Sequence, residues 1–405
     1  MCKHKDMISR IVSLYRRAYE GLPQHAWILF TVLLINSAGM MVIFFLSLYL
    51  TKNLGYTVAQ AGRSLSIFGM GSLVGSFLGG WLSDRIGSTN VQKLSLLFSG
   101  IFYIWLGQIH SLWSINLMIF VLAVASGWLY PANSTSMARV CPPEITTKGF
   151  ALNRLANNIG ATIGPAVGGF LALRNYSLLF WVDGMTCLAA VVLFSLVWKK
   201  PEQHLNVLAG GKTSLGRSPW RDGPFLLMLP MVVVWGSIFF QLIATFPLYM
   251  REVYGFAENR IGQLIIINTF LIITLEMLLI HWIGKRSLTR FVSLSFFLTG
   301  LGFALMPLGR GFAYAALTVA VWTFGEMLSM PLLGALIALR AGTGSQGRYM
   351  GLFSFAFSLS MIVGPVLGTT VYSRFGPTTL WFGCGIVGCL LYAAFSLLSK
   401  SLEIE

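Results

Sequence analysis

Residues 160–169 read GATIGPAVGG and residues 363–369 read VGPVLGT, so Gly164-Pro165 and Gly168 return as Gly364-Pro365 and Gly368, 200 positions later. The same offset aligns Leu48-Tyr49 with Leu248-Tyr249, Gly55 with Gly255, Gly62 with Gly262 and Leu94-Ser95 with Leu294-Ser295. It also aligns Gly100 with Gly300 and Pro131 with Pro331. Scattered identities arise by chance among helices rich in Gly and Leu, but one register held across five apolar runs does not arise easily that way. The chain of 405 residues therefore reads as two similar halves.

The medium around those halves follows from composition. The chain is 56% hydrophobic and 10% charged, with mean hydropathy +0.75. Roughly a quarter of a soluble chain is charged, so the bilayer is the solvent here. About 20 apolar residues cross the hydrocarbon as a helix, and twelve such runs are expected: 26–50, 58–83, 91–109, 113–137, 148–173, 177–198, 224–250, 258–283, 288–308, 312–339, 349–373 and 377–399. Residues 1–25 are basic and polar, with no short apolar core before a small-residue cleavage site, so the first run reads as a retained span. The longest polar stretch, 199–223, has Gly, Pro and Ser but no periodic apolar face, and reads as a linker. The expected fold is thus an all-α membrane protein of twelve transmembrane helices in two pseudo-symmetric six-helix bundles. Its parts are an N-terminal segment 1–25, bundles 26–198 and 224–399 joined by the linker, and a tail 400–405. Parallel repeats with a site near the midplane between them are a transporter architecture.

The net charge of +15 is topological. Twenty of the 28 Lys and Arg fall at the two termini or in loops on that same side, and six fall opposite: Lys52, Arg174, Arg251, Arg260, Arg310 and Arg374. The positive-inside rule then makes both termini cytoplasmic and removes the need for a nucleic-acid partner. Cys2, Cys141, Cys187, Cys384 and Cys389 form no CxxC, and no His pair has ligand spacing, so neither a disulfide framework nor a metal site is expected. No nucleophile with a base and no phosphate loop appears, which speaks against an enzyme.

Residues 79–87, GGWLSDRIG, lie between the second and third runs, with Gly, Asp, Arg and Gly at the spacing of a family loop signature. With this loop and the span-5 motif, the chain resembles a major facilitator superfamily secondary transporter over essentially its whole length. The resemblance implies gating roles for Asp84 and Arg85, flanked by Gly80 and Gly87. Ser88-Thr89 stand where two basic residues usually follow, and Lys93 is the candidate to supply that charge. GATIGPAVGG resembles the signature associated with the family's antiporters. Gly160, Gly164, Gly168 and Gly169 allow close helix approach, and Pro165 breaks the hydrogen-bond ladder, with Gly364 and Pro365 as counterparts. A packing face without hinge function is the plainer reading of the same residues. The intramembrane Arg typical of drug/proton antiporters is Ile119 here, while Arg154, Asp183 and Glu326 look more like a bacterial multidrug-exporter-like subgroup.

Five charged residues lie more than three residues inside an expected span: Arg63, Arg154, Asp183, Glu276 and Glu326. Arg63 lies near a span end and can snorkel, and Asp183 suits a structural or a functional role equally. Arg154 and Glu276 lie ~9 Å and ~11–12 Å from the same membrane face at 1.5 Å per residue. Spans 5 and 8 face each other in the resembled fold, so the two either form a latch or act separately. Glu326, in WTFGEMLSMPLLG at 322–334, is the only charge between Gly311 and Leu339. A charge at mid-membrane costs at least ~2.5 kcal/mol on insertion scales, so Glu326 is either a proton or cation site or a hydrogen-bonded structural acid. Asn36, Gln241, Trp128 and Asn158 (with Asn157) are further cavity candidates.

These readings converge on a monomeric alternating-access transporter in a bacterial inner membrane, binding a small molecule and protons. It is expected to export lipophilic or cationic compounds, driven by the proton gradient without a cofactor. Transport of a specific metabolite or chelator, such as a siderophore, is the alternative. A non-transporting or lipid-handling role is a third reading.

Overall fold

The computed structural model describes residues 13, 16–198, 218–256, 258–284, 286–342 and 344–402. Most of the expected N-terminal segment and linker, and the end of the tail, lie outside the described residues. Within them the chain is helical, with no strand. The first half of the chain forms α1 (Gln24–Ala38), α2 (Met41–Leu48), α3 (Val58–Leu82), α4 (Ser88–Leu106), α5 (Leu112–Gly127), α6 (Leu129–Val140), α7 (Thr146–Arg174) and α8 (Ser177–Val197). The second forms α9 (Gly223–Phe239), α10 (Gln241–Ala244), α11 (Phe246–Glu252), α12 (Glu258–Ile283), α13 (Leu288–Leu305), α14 (Phe312–Ala341), α15 (Gln346–Phe375) and α16 (Pro377–Leu402).

Among the described residues, ten segments are long and apolar enough to cross a membrane. Hydrocarbon offers no partner to backbone N–H and C=O groups, so each crossing segment closes its own bonds as a helix. Phe170, Leu196 and Leu397 stand largely exposed on the outside. The inside of the second half is aromatic, with Trp235, Trp322, Trp381, Phe296 and Phe303 fully buried.

Three expected runs are not single helices, and one of them, 113–137, divides at Trp128 between α5 and α6. The run 26–50 breaks between α1 and α2, where Gly39 passes so near α8 that a Cβ would lie 2.2 Å from Thr186 Oγ1. The amides exposed at the start of α2 are bound by a carboxylate: Met41 N and Val42 N donate to Asp183 at 3.1 and 2.7 Å. The run 224–250 breaks at Phe240 and again at Thr245, dividing α9, α10 and α11. The 200-residue offset of the sequence thus reappears as a break in the first helix of each half.

Contact between the halves is made chiefly by α3 with α15, by α7 with α12 and α14, and by α6 with α15. Shifting by 200 positions carries α3 onto α12 and α7 onto α15, so the α3–α15 and α7–α12 contacts are exchanged. Between α3 and α4 the backbone makes a π-type turn, Ser83–Gly87, which ends at Gly87 with φ +87°. A side chain is disfavoured in that left-handed conformation.

Candidate functional site

A buried polar cluster is assembled from both halves. Arg154 on α7 places Nη2 2.8 Å from Glu326 Oε1 on α14, and its Nη1 donates to the Glu326 carbonyl. Its Nε lies 3.3 Å from Glu276 Oε2 on α12. The second oxygen of Glu326 accepts from Asn268 Nδ2 at 2.9 Å, and Asn268 also donates to Thr323 Oγ1 at 3.0 Å. Arg154, Glu276 and Glu326 are all buried. The sequence reading left Arg154 and Glu276 as either a latch or separate groups. The structure places them 3.3 Å apart and adds Glu326 as the nearer partner. Asn268 was missed; a lone amide in the apolar run LIIINTFLIITLEMLL was the available signal.

A second contact closes the end of the molecule that carries Ser83–Gly87. Asp84 accepts from Gly347 N and Arg348 N, both at 2.9 Å, occupying the first amides of α15 where a helix N-terminus favours an anion. Arg348 Nε at 3.3 Å and Arg139 Nη2 at 3.4 Å complete its surroundings. Gly80 makes this approach possible, since a Cβ there would lie 2.4 Å from the Gly347 carbonyl. Arg85 stacks on Trp81, 4.0 Å from the ring centroid. Lys93, expected to supply charge at this gate, instead lies on α4 over the Phe194 ring at 5.9 Å. Arg139 and Arg348 are the basic groups at Asp84. Next to Arg348, Tyr349 donates to Asp222 Oδ2 at 2.8 Å, and Asp222 also holds Arg340 Nη2 at 2.6 Å. Burial disfavours the charge on Asp222, but the bonds from Arg340 and Tyr349 outweigh it and hold the carboxyl below its ordinary range.

The remaining candidates separate. Asn36 and Asn157 line a cavity of about 190 Å³ with Ser37, Tyr103, Ser126 and Tyr130. Ser37 donates to Asn157 Oδ1 at 2.8 Å. The half-buried Asn158, preferred from sequence, is not among the residues lining that cavity. Trp128 instead borders an apolar cavity of about 290 Å³ with Phe98 and Phe120, and its buried indole N–H has no partner. Gln241 binds α10 to α15, donating to the carbonyls of Ser237 at 2.9 Å and Gly364 at 2.7 Å. Gly160, Gly164 and Gly168 receive Ser37, Ala38 and Met41 of the first broken helix, whereas Gly169 has only Phe45 at 3.8 Å. Gly364 receives Ser237, and α15 continues as helix through Pro365. The side chain of Pro165 lies outside the described residues.

Residues 28–365 match the family model described as Major Facilitator Superfamily. The chain belongs to the Major Facilitator Superfamily. Among curated superfamily members, a "Na(+), Li(+), K(+)/H(+) antiporter" of Planococcus maritimus is 25% identical over 401 residues, covering 90% of this chain and 91% of that protein. "Multidrug resistance protein 1" of Bacillus subtilis is 25% identical over 356 residues, covering 85% and 89%. A crystal structure of the human organic anion transporter MFSD10 (TETRAN) superposes with TM-score 0.72 at 15% identity, covering 91% of this chain and 98% of that one. The last likeness concerns the fold alone. A superfamily transporter, and not an enzyme, is what these relatives and the site have in common.

Proposed function

We propose that the chain is a proton-coupled exporter of lipophilic or cationic compounds working by alternating access. On this reading its helices form twelve spans in two six-helix bundles, 26–198 and 224–399, joined by the linker 199–223. Both termini and the Asp84 contact lie on the cytoplasmic side of a bacterial inner membrane, and the protein acts as a monomer. The observation that carries the proposal is Arg154 of one half held between Glu276 and Glu326 of the other. Separating the halves must remake those ion pairs, and breaking a buried pair while leaving one partner unpaired costs about 3–5 kcal/mol. A proton or a cationic substrate supplies the charge that makes the separation feasible.

Asp84 acts as the latch that holds the cytoplasmic side shut, and the glycines of α7 and α15 let the broken first helices slide against them. Asn36 and Asn157 offer polar contacts in a pocket that Tyr103 and Tyr130 also line. The Planococcus relative supports a second reading, exchange of an alkali cation for protons.

The test uses everted vesicles with an acidic interior, a pH-reporting dye and a panel of cationic, neutral and anionic compounds. A compound that dissipates the gradient with wild type but not with Glu326→Gln supports the reading and names the substrate class. Equal responses from both proteins would leave Glu326 structural. Dissipation by sodium or potassium alone would favour the second reading.

A further inference from the structure

We propose that the exchangeable proton resides on Glu276, that Glu326 is the permanently ionised partner of Arg154, and that one positive charge on the substrate replaces that proton. This rests on the proton-coupled reading and assigns its site.

The two carboxylates are treated very differently. Glu326 has a guanidinium nitrogen 2.8 Å from one oxygen, an ion pair without hydrogen-bond alignment, and its other oxygen accepts a hydrogen bond from Asn268 Nδ2 at 2.9 Å. Its negative charge is met by a close cation and a donor. Glu276 is 3% exposed, and neither of its oxygens accepts a hydrogen bond. Among the described residues its ion pair is with Arg154 Nε at 3.3 Å, on the guanidinium that also faces Glu326. From the helices packed against α12, the charged groups that face Glu276 are Arg154 on α7 and Glu326 on α14. One arginine thus serves two acids. With both ionised, the cluster carries one uncompensated negative charge inside a membrane. With a proton on Glu276 it is neutral.

The occupant of Glu276 is a proton and not an alkali metal ion. A hard metal cation gathers several oxygen ligands. Around Glu276 the same helix presents buried Ile272, Met277 and Ile280. No group of three acidic, His or Cys ligands occurs among the described residues. A proton needs only one oxygen.

The exchange balances in charge. Protonated Glu276, ionised Glu326 and Arg154 sum to zero. Loss of the proton to water leaves the cluster at one negative charge, which a monocationic substrate restores to zero. A neutral or anionic substrate does not.

Infrared spectroscopy of the protein in lipid nanodiscs tests the assignment without depending on transport. The expected result is a protonated-carboxyl band in wild type that is absent in Glu276→Gln, retained in Glu326→Gln and displaced in Glu276→Asp. The aspartate variant keeps the acid and guards against a glutamine variant that misfolds. A band lost in Glu326→Gln and kept in Glu276→Gln overturns the proposal, as does a wild type with no such band. Removal of the band by sodium, lithium or potassium at constant pH overturns the choice of proton over metal. Should the band behave as expected while no compound moves protons in vesicles, the proton-coupled reading fails and the location of the proton stands.

Discussion

Replacing Arg154 with alanine removes the one positive charge in the buried cluster. Glu326 then loses an ion pair at 2.8 Å and one of the donors to its backbone carbonyl, and Glu276 loses its ion pair at 3.3 Å. Breaking a buried pair this way costs about 3–5 kcal/mol. If Glu276 is already neutral, the loss falls on the Glu326 pair alone, so the lower part of that range applies. At roughly 2–4 °C per kcal/mol for domains of about 150–250 residues, 3 kcal/mol corresponds to a fall in Tm of about 6–12 °C. The assay is thermal unfolding in detergent across a double-mutant cycle of Arg154→Ala, Glu326→Gln and both together. Residues in direct contact show coupling of about 0.5–3 kcal/mol. The double variant is therefore expected to melt higher than the sum of the single losses predicts, because no buried charge is left without a partner. A second cycle with Glu276→Gln should show much weaker coupling to Arg154. Strictly additive losses in the first cycle, or stronger coupling in the second, would refute the division of labour between the two acids.

Further expectations follow from other contacts. Gly80→Leu places a side chain where a Cβ would already be 2.4 Å from the Gly347 carbonyl, so spin-label distances between the α3 and α15 ends should lengthen; unchanged distances would contradict the close approach. Asp183→Asn keeps one acceptor oxygen for the two amides at the start of α2, and a loss of about 1–3 kcal/mol is expected for the amide left unpaired, read as a lower Tm. The Asp222 carboxyl is held below its ordinary range in the fold, so its stabilising charge is fully present above the unfolded value and is lost as pH falls through the folded one. Wild type should therefore melt above Asp222→Asn at neutral pH, with the gap closing only in acid below the ordinary carboxylate range. A gap that stays constant to low pH would refute this.

Much of the fold was legible because hydrocarbon imposes a simple rule on a chain, and the 200-residue repeat carries a register that survives in Gly164-Pro165 and Gly364-Pro365. Glu326 stood out for the same reason: one charge in a long apolar run needs a partner. What could not be read was which residue of a distant helix meets it. Arg154 and Glu326 are 172 positions apart, and their meeting depends on how α7 is rotated and shifted against α14. Local periodicity does not fix that. Lys93 shows the error in the other direction, since a basic residue close to Asp84 in sequence points to α8, while Arg139 and Arg348 come from far along the chain. The break at Gly39 was hidden because one glycine in an apolar run looks like any other until Thr186 comes against it.

The shared arginine also sets a timetable for biosynthesis. Glu276 follows Arg154 by 122 residues in the chain. At about 5–20 residues per second of synthesis, Arg154 spends roughly 6–24 s in the nascent chain before its first acid exists. During that interval its guanidinium must stay with water or lipid headgroups, so α7 cannot settle at its final depth until α12 emerges. Chains cut short between the two positions retain Arg154 without the counter-charges of Glu276 and Glu326.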